Sequence, residues 1–447
     1  MNPNCSEFKA RRLRLLSLMQ AQGGGVAIIP SAREVIRNSD NHYPFRHDSY
    51  FYYLSGFMEP DAVLVLLATA EQAHSILFCR EKNPEREIWD GFRYGPAAAQ
   101  EVFGLDAAWP LSVLTEKLAD YLANAATVFY SNAAEPRLDS ELQQSLDLVR
   151  GRARSGVQAP SQTDDVRRLI DEMRLFKDDK EIALMQTAAS IAGDAHARAM
   201  RYAAPGQFEY QLEAEILHEF LHRGAQAPAY GSIVASGANA CVLHYQSNRA
   251  QIRDGDLILI DAGCEFDSYA ADITRTFPAN GKFSAPQKTL YQIVLASQQA
   301  ALACAHPGAR YIDGHHAAVR VLTEGMLDVG LLDKNRVGTL DDAIASAAYR
   351  QFYMHSTGHW LGLDVHDVGR YHCKEGADTP YRPLAAGMVI TIEPGLYVRP
   401  TEQVPERFWN IGIRIEDDIL ITAEGHLDLS RATPKTVEEI EAQMRAR

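Results

Sequence analysis

The sequence predicts an α/β (α+β) chain of two domains, a mixed α/β domain followed by a second domain of helices and strands. Three observations support this class. The chain has 447 residues, too many for one ordinary core. Strand-like apolar runs alternate with turns at 50–80, and strand-rich sequence returns at 387–422 after several helical stretches. The chain changes character near residue 173, so we place the domains at 1–172 and 173–447.

The first domain opens with an amphipathic helix in MNPNCSEFKARRLRLLSLMQ, which lacks the uninterrupted apolar core of a signal peptide. A turn and a short buried strand follow in GGGVAIIP. This glycine run lacks the GK[ST] ending of a phosphate-binding loop, so it indicates a helix stop. DAVLVLLA and HSILFC predict strands, and LTEKLADYLANA has the period of a helix.

The second domain begins with charged residues around 171–181 and a long helix from about Asp179 to Met200. Another helix follows the Pro-Gly pair at 205–206. The runs at 257–261 and 271–277 predict two strands. A further helix starts after Ser284, which serves as its N-cap, with Pro286 in the first turn.

Composition excludes several functional classes. A net charge of −14 argues against a nucleic-acid binder, whose affinity depends on neutralising phosphates. No run approaches the ~18 apolar residues that span a bilayer, so we expect no membrane segment. The six cysteines contain no C-x-x-C pair, which indicates neither a disulfide framework nor a thiolate zinc site. We therefore expect a cytoplasmic protein.

The stretch ILHEFLHRG spells H-E-x-x-H, the motif in which two helical histidines bind zinc. At about 100° per residue, His218 and His222 fall on the polar stripe of this helix. The opposite apolar stripe consists of Phe208, Leu212, Ile216 and Phe220, widened by Leu217 and Leu221. The spacing after His222 also fails the metzincin pattern. We interpret the histidines as a solvated face, although a distant glutamate could still complete a zinc site.

Two aspartates of RDGDLILIDAGCEFDSYAADITRTF form a stronger candidate. If the two strands make a hairpin symmetric about residues 266–267, Asp261 lies directly opposite Asp272, with Cβ atoms about 4.5–5.5 Å apart. Like charges at that distance repel and need a counter-charge, which a divalent metal would supply. For either aspartate alone, a turn or cap role is the alternative.

Later strands supply further acidic residues. Glu393 closes the apolar strand of GMVITIEPGLYV, directly before a Pro-Gly turn. In NIGIRIEDDILIT, Arg414 and Glu416 share one face because strand side chains alternate. An ion pair between these two residues is the simpler interpretation of that strand taken alone.

Three histidines lie close together in QFYMHSTGHWLGLDVHDVG, at positions 355, 359 and 366, interleaved with glycines. This cluster indicates a backbone shaped around a site. A satisfied core or surface role is the alternative for any one of them.

In this order, IDAG, ADITRTF, HSTGHWLGLDVHD, ITIEPGLYV and GIRIEDD resemble the motifs of the pita-bread metallopeptidases, which include aminopeptidase P, prolidase and methionine aminopeptidase. IVASGANACVLHY and NSDNHYPFRHDSYFYYLSGF extend the resemblance, which is strongest to the aminopeptidase P group, over most of the chain. It implies a C-terminal pita-bread catalytic domain with an antiparallel sheet and flanking helices.

The resemblance also implies a dinuclear metal site. Asp261 would bind one metal, Asp272 and Glu416 would bridge both, and His359 and Glu393 would complete the other. Four carboxylates cancel the four charges of two divalent ions. Oxygen-rich ligation with one imidazole favours Mn²⁺, although Zn²⁺ or Co²⁺ could enter.

The implied reaction removes an N-terminal residue that precedes proline, by a metal-bridging hydroxide with Glu393 as general base. Arg414 would orient Glu416 as a hydrogen-bond partner of the ligand.

The resemblance further implies contacts to the substrate. His244, His355 and His366 would hydrogen-bond the peptide and its tetrahedral intermediate. Asp40 would contact substrate from the N-terminal segment, and assembly into a homo-oligomer (dimer or tetramer) could bring it to a neighbouring subunit's site.

Four alternatives remain at this point. Prolidase shares the ligand pattern but cuts only Xaa-Pro dipeptides, and the region around Asp40 favours the aminopeptidase. Methionine aminopeptidase typically lacks an N-terminal domain of about 170 residues, and a creatinase-like hydrolase would not need all the ligands. A non-catalytic pita-bread binding module would have lost them.

Overall fold

The computed structural model describes residues 5–69, 72–373 and 380–446, and the chain divides into two compact units, Met1–Met173 and Arg174–Arg447. Each unit combines helices with sheets, which confirms the predicted mixed class. Over the described ranges, no helix has the length and apolar character needed to cross a membrane.

The first unit is built on a six-stranded mixed sheet in the order β6-β5-β4-β1-β7-β8. Its strands are β1 (Gly25–Pro30), β2 (Ile36–Asn38), β3 (Asn41–His42), β4 (Val63–Ala68), β5 (Ala73–Cys79), β6 (Ala107–Pro110), β7 (Thr127–Phe129) and β8 (Gln162–Asp164). Its helices are α1 (Cys5–Gln20), α2 (Ser49–Ser55), α3 (Pro84–Asp90), α4 (Gly95–Val102), α5 (Leu114–Leu122), α6 (Pro136–Gly151) and α7 (Arg167–Arg174). β2 and β3 form a separate exposed hairpin.

The glycine run of the first unit ends α1 and begins the central strand β1, as the sequence predicts. β1 pairs antiparallel with β4 and parallel with β7. Gly25 has a φ of +148°, and a Cβ there would lie 2.2 Å from the carbonyl oxygen of Thr127. The position therefore requires glycine so that β1 can enter the sheet beside β7.

The second unit holds small antiparallel sheets flanked by helices, in agreement with the expected architecture. Its strands are β9 (Ala227–Pro228), β10 (Ile233–Ser236), β11 (Leu257–Asp261), β12 (Cys264–Phe266), β13 (Tyr269–Ala270), β14 (Thr274–Pro278), β15 (Val389–Ile392), β16 (Gly395–Val398), β17 (Ile411–Arg414), β18 (Asp417–Ile421) and β19 (His426–Asp428). Its helices are α8 (Asp179–Tyr202), α9 (Glu209–His222), α10 (Ala285–Leu302), α11 (Tyr311–Val329), α12 (Lys334–Val337), α13 (Leu340–Ala345) and α14 (Val437–Arg445).

Two helices of the second unit show how the sequence sets its core. A capping box between Asp178 and Glu181 starts α8. The apolar stripe of α9 is buried as predicted at Leu212, Ile216 and Phe220, all with no exposed area, in the same core as the alanine face of α8. Leu221 was expected to widen this stripe, but it is 61% exposed because it lies past the edge of the buried arc.

In the hairpin that carries the two predicted aspartates, the centre of the turn lies one residue later than expected, which shifts the strand pairing by two residues. Glu265 pairs with Ala270 and Asp261 with Thr274, so Asp261 does not lie opposite Asp272. The turn is centred on Asp267 and Ser268, whose φ values of 44° and 75° are both positive, as a two-residue type I′ turn requires. Asp272 nevertheless keeps the face of Thr274, two residues away, and remains a diagonal neighbour of Asp261.

The orientation of α9 can be tested with adjacent residues. We expect Phe220→Ala to lower the free energy of unfolding by about 3–5 kcal/mol, because it leaves a cavity in the core. Leu221→Ala should change it by about 0.5 kcal/mol or less, since the side chain is mostly in solvent. Urea unfolding followed by circular dichroism measures both. Equal losses in the two variants would contradict this orientation.

Candidate metal centre

The predicted ligands lie on the wall of one cavity of about 560 Å³ in the second unit. They are Asp261, Asp272, His359, Glu393 and Glu416. Asp261 ends β11, Glu393 directly follows β15, and Glu416 lies between β17 and β18. Separate antiparallel hairpins thus end at the same place and bring together residues that are far apart in the sequence.

The centre of the cluster is compact. Of the residues that the structure describes, Asp272, His359 and Glu416 form a group whose donor atoms all lie within 4.8 Å of one another. His359 Nε2 is 3.3 Å from Asp272 Oδ2 and 3.8 Å from Glu393 Oε1. Asp261 is linked to Asp272 by the Tyr230 hydroxyl. This hydroxyl is 2.6 Å from Asp261 Oδ1 and 2.5 Å from Asp272 Oδ1.

Three acids of this cluster have raised pKa values. Burial raises the pKa of Asp272 and Glu416, and it raises the pKa of Glu393 to about 7. The charges of neighbouring carboxylates add to the rise at each of these groups. At His359 burial lowers the pKa, but the hydrogen bond to Asp272 and its charge outweigh that effect and raise the pKa to about 9.

This donor set fits divalent cations. Asp272, Glu393 and Glu416 hold protons more readily than free carboxyl groups, because burial and mutual repulsion disfavour their charged forms. Metal ions can replace those protons and supply the charge, because they bind the deprotonated ligands. Carboxylate oxygens with a single imidazole suit Mn²⁺, and Zn²⁺ or Co²⁺ can also bind such ligands.

Arg414 contacts Asp261 rather than Glu416, which corrects the expected orientation. Its Nη2 is 2.5 Å from Asp261 Oδ2, and its Nε donates to Thr274 Oγ1 over 3.1 Å. The Thr274 hydroxyl in turn donates to Glu416 Oε2 over 2.6 Å. Thr274 pairs with Asp261 in the hairpin. Its hydroxyl therefore links Arg414 to Glu416 through the two hydrogen bonds.

His355 is held in one tautomer. Its Nδ1 lies 2.7 Å from the carbonyl oxygen of Ser356, which accepts only, so Nδ1 carries the proton and donates. Its Nε2 then accepts from the Tyr397 hydroxyl at 2.9 Å, and Arg414 Nη1 donates to that hydroxyl over 3.0 Å. Burial first, and the charge of Arg414 second, lower the pKa of His355 to about 3, which keeps it neutral.

The other predicted substrate contacts have different surroundings. The His366 ring lies 4.0 Å from that of His359, and burial lowers its pKa. His244 is exposed on the cavity wall. Asp40 is exposed in the turn between β2 and β3 of the first unit, and its role stays a prediction.

Several residues around the cluster were not found by sequence reasoning. Tyr230 joins the two aspartates, and Thr274 joins Arg414 to Glu416, but neither stands in a motif that marks it. His315 also lines the cavity, and its Nδ1 lies 2.8 Å from Thr357 Oγ1. Burial lowers the pKa of His315 to about 4. Its position four residues into α11, far in the sequence from the other histidines that line the cavity, gave no signal.

The H-E-x-x-H stretch does not contribute to this site. His218 and His222 are exposed, and their rings stack 5.5 Å apart on the surface of α9. Glu219 lies near Arg198 and Arg223, at 3.6 and 3.7 Å. Neither histidine is among the cavity-lining residues.

Comparisons with known proteins agree with the architecture. A profile described as metallopeptidase family M24 matches residues 183–423, and one described as aminopeptidase P, N-terminal domain, matches residues 8–130. The chain is 45% identical to a protein named Xaa-Pro aminopeptidase from Escherichia coli K12, over 98% of this chain and 97% of that one. It is 35% identical to human Xaa-Pro aminopeptidase 3, over 97% of this chain and 85% of that protein.

Solved structures give the same result. The aminopeptidase PepP of Pseudomonas aeruginosa matches with a TM-score of 0.94 and 46% identity, over 99% of this chain and 98% of that one. A zinc-substituted Escherichia coli aminopeptidase P in complex with product matches with a TM-score of 0.94 and 45% identity, over the same shares of both chains.

The location of the metal centre can be tested by comparing a variant of the acid cluster with a variant of the two histidines on α9. We expect Asp272→Ala to abolish tight binding of Mn²⁺, because it removes an acid from the centre of the cluster. The double variant His218→Ala with His222→Ala should bind the metal as the unmodified protein does. Isothermal titration calorimetry with Mn²⁺ measures both. Loss of binding in the double variant would move the site to α9.

Proposed function

The chain belongs to metallopeptidase family M24, and we propose that it is a Xaa-Pro aminopeptidase, which removes the N-terminal residue of peptides with proline in second position. The observation that carries this proposal is the cluster of three buried acids, the partly exposed Glu393 and one histidine on the wall of a single cavity. The names of the relatives that match almost the whole chain support the substrate class.

We further propose that this cluster holds two divalent metal ions, with Mn²⁺ as the first choice. Asp261, Asp272, His359, Glu393 and Glu416 would be the ligands. Bound ions would polarise the scissile carbonyl and lower the pKa of a water molecule. Thr274 and Arg414 would then hold the carboxylates in orientation through their hydrogen bonds.

Glu393 is the proposed general base. Its carboxylate lies on the cavity wall beside the other proposed ligands, where it can accept a proton from a water molecule and release it to the leaving group. It would take a proton from the attacking water as the water oxygen bonds to the carbonyl carbon. As the carbon–nitrogen bond breaks, Glu393 would pass the proton to the proline nitrogen. That nitrogen has no hydrogen in the tertiary amide, so it needs this proton to leave as an amine.

The histidines would have distinct roles. His366 and His244 are proposed to hydrogen-bond the peptide from the cavity wall. Both ring nitrogens of His355 are engaged, so we propose that it acts through Tyr397, by keeping that hydroxyl between His355 and Arg414.

Prolidase activity is the main alternative, because it needs the same metal ligands. A non-catalytic binding role is less consistent with the complete ligand set. We also propose a cytoplasmic homo-oligomer, a dimer or tetramer, in which Asp40 approaches a neighbouring subunit's substrate. Light scattering of the purified protein tests this assembly.

The role of Glu393 can be tested by removing its ability to carry a proton. We expect Glu393→Gln to lower kcat by about 10²–10⁴-fold, since a general base contributes that much. The exposed Glu402→Gln is the matched control and should leave kcat unchanged. Metal content and circular dichroism of each variant separate a chemical defect from lost metal or lost folding. Undiminished kcat in Glu393→Gln with full metal content would remove Glu393 as the base.

The substrate class can be tested with a pair of peptides. We expect release of the first residue from a Xaa-Pro-Xaa tripeptide at a higher kcat/KM than from the matching Xaa-Pro dipeptide. Chromatographic analysis of the products measures both. Strict preference for the dipeptide would show a prolidase instead.

A further inference from the structure

We infer that Glu209, the first residue of α9, is a positioning residue that fixes the location of His244. This inference rests on the proposed role of His244 in substrate binding. Glu209 touches neither the predicted metal ligands nor the cavity, so it would act only through the chain segment that its carboxylate holds.

Glu209 is a fully buried carboxylate bonded by several donors. Its exposed fraction is 0%. Its Oε1 accepts from the Ser236 backbone N–H and hydroxyl, both over 2.8 Å, and from Asn239 Nδ2 over 3.0 Å. Its Oε2 accepts from the Tyr245 hydroxyl over 2.8 Å and from the Ala250 backbone N–H over 2.9 Å. These donors, together with the N-terminus of α9, stabilise the negative charge in the interior.

All of these donors come from one segment, residues 236–250, which carries His244. The segment includes little regular structure beyond a short helical turn at Gly237–Cys241. Among the described residues, none hydrogen-bonds with the His244 ring. Its position therefore depends on how the segment is held, and the hydroxyl of the adjacent Tyr245 binds Glu209 directly. A second link joins Asn239 Nδ2 to the same hydroxyl over 3.1 Å.

The arrangement requires a carboxylate rather than an amide. Both oxygens of Glu209 face donors, and a backbone N–H lies on each side, from Ser236 and from Ala250. A glutamine has only one acceptor oxygen, so its amide N–H₂ would face one of those backbone N–H groups. A buried donor left without an acceptor destabilises that local arrangement, and we expect the segment to shift.

The inference is tested by a double-mutant cycle of Glu209→Gln and His244→Ala on a Xaa-Pro-Xaa peptide. We expect Glu209→Gln to lower kcat/KM about 10- to 100-fold, mainly through KM, as for a misplaced binding group. Mn²⁺ affinity should be unchanged. The double variant should be no worse than His244→Ala alone, because both changes remove the same interaction. Glu213→Gln, one turn along α9, is the control and should leave kcat/KM unchanged.

Several outcomes would overturn the inference: unchanged KM in Glu209→Gln, or fold losses that multiply in the double variant. If Glu209→Gln does not fold, Tyr245→Phe removes one of the donors and enters the same cycle. Amide hydrogen exchange over residues 236–250 adds a readout that needs no substrate, and faster exchange is expected in Glu209→Gln. If the unmodified protein cleaves no such peptide, the proposed function fails, and unchanged exchange would then overturn the anchoring role as well.

Discussion

The repulsion among buried acids is the constraint on which the second unit depends. Four carboxylates converge on one cavity, and burial together with their mutual charge raises the pKa of Asp272, Glu393 and Glu416. Arg414 neutralises only the Asp261 side of the cluster. Leaving like charges together inside a protein is unfavourable unless a counter-charge is present. The acids stay close together because the strands that carry them fix their positions, and this arrangement suits a bound cation.

The backbone around the cluster is held by short polar contacts and by close packing that only glycine permits. The Asp272 N–H lies 3.1 and 3.2 Å from the two oxygens of the buried Asp418 carboxylate. A Cβ on Gly263 would lie 1.7 Å from the carbonyl oxygen of Ala271, and one on Gly358 would lie 2.0 Å from that of Thr391. Gly358 directly precedes His359, so this close approach explains the residue and helps to fix the imidazole.

Sequence reasoning could identify the face of each acid but not its partners. Period-two alternation was enough to place Asp261 and Asp272 on one side of a hairpin, even though the turn lies one residue later than expected. The turn residues Asp267 and Ser268 are a weaker signal than Asn-Gly, so the register was open. The partner of Arg414 depended on where β17 lies relative to β11, which no local pattern encodes. Tyr230 joins the site through tertiary packing alone.

The helix α9 shows why burial is a better guide than a short motif. The two histidines of its H-E-x-x-H stretch lie on the exposed stripe, where charged and polar residues are common and carry little information. Glu209, at the start of the same helix, belongs to no motif. Yet a carboxylate with no exposed area must have every lone pair satisfied, and that requirement explains why five donors of one segment gather around it. The structural contribution of α9 is thus set by its buried acid Glu209, because residues 236–250 must be arranged to place donors around that charge.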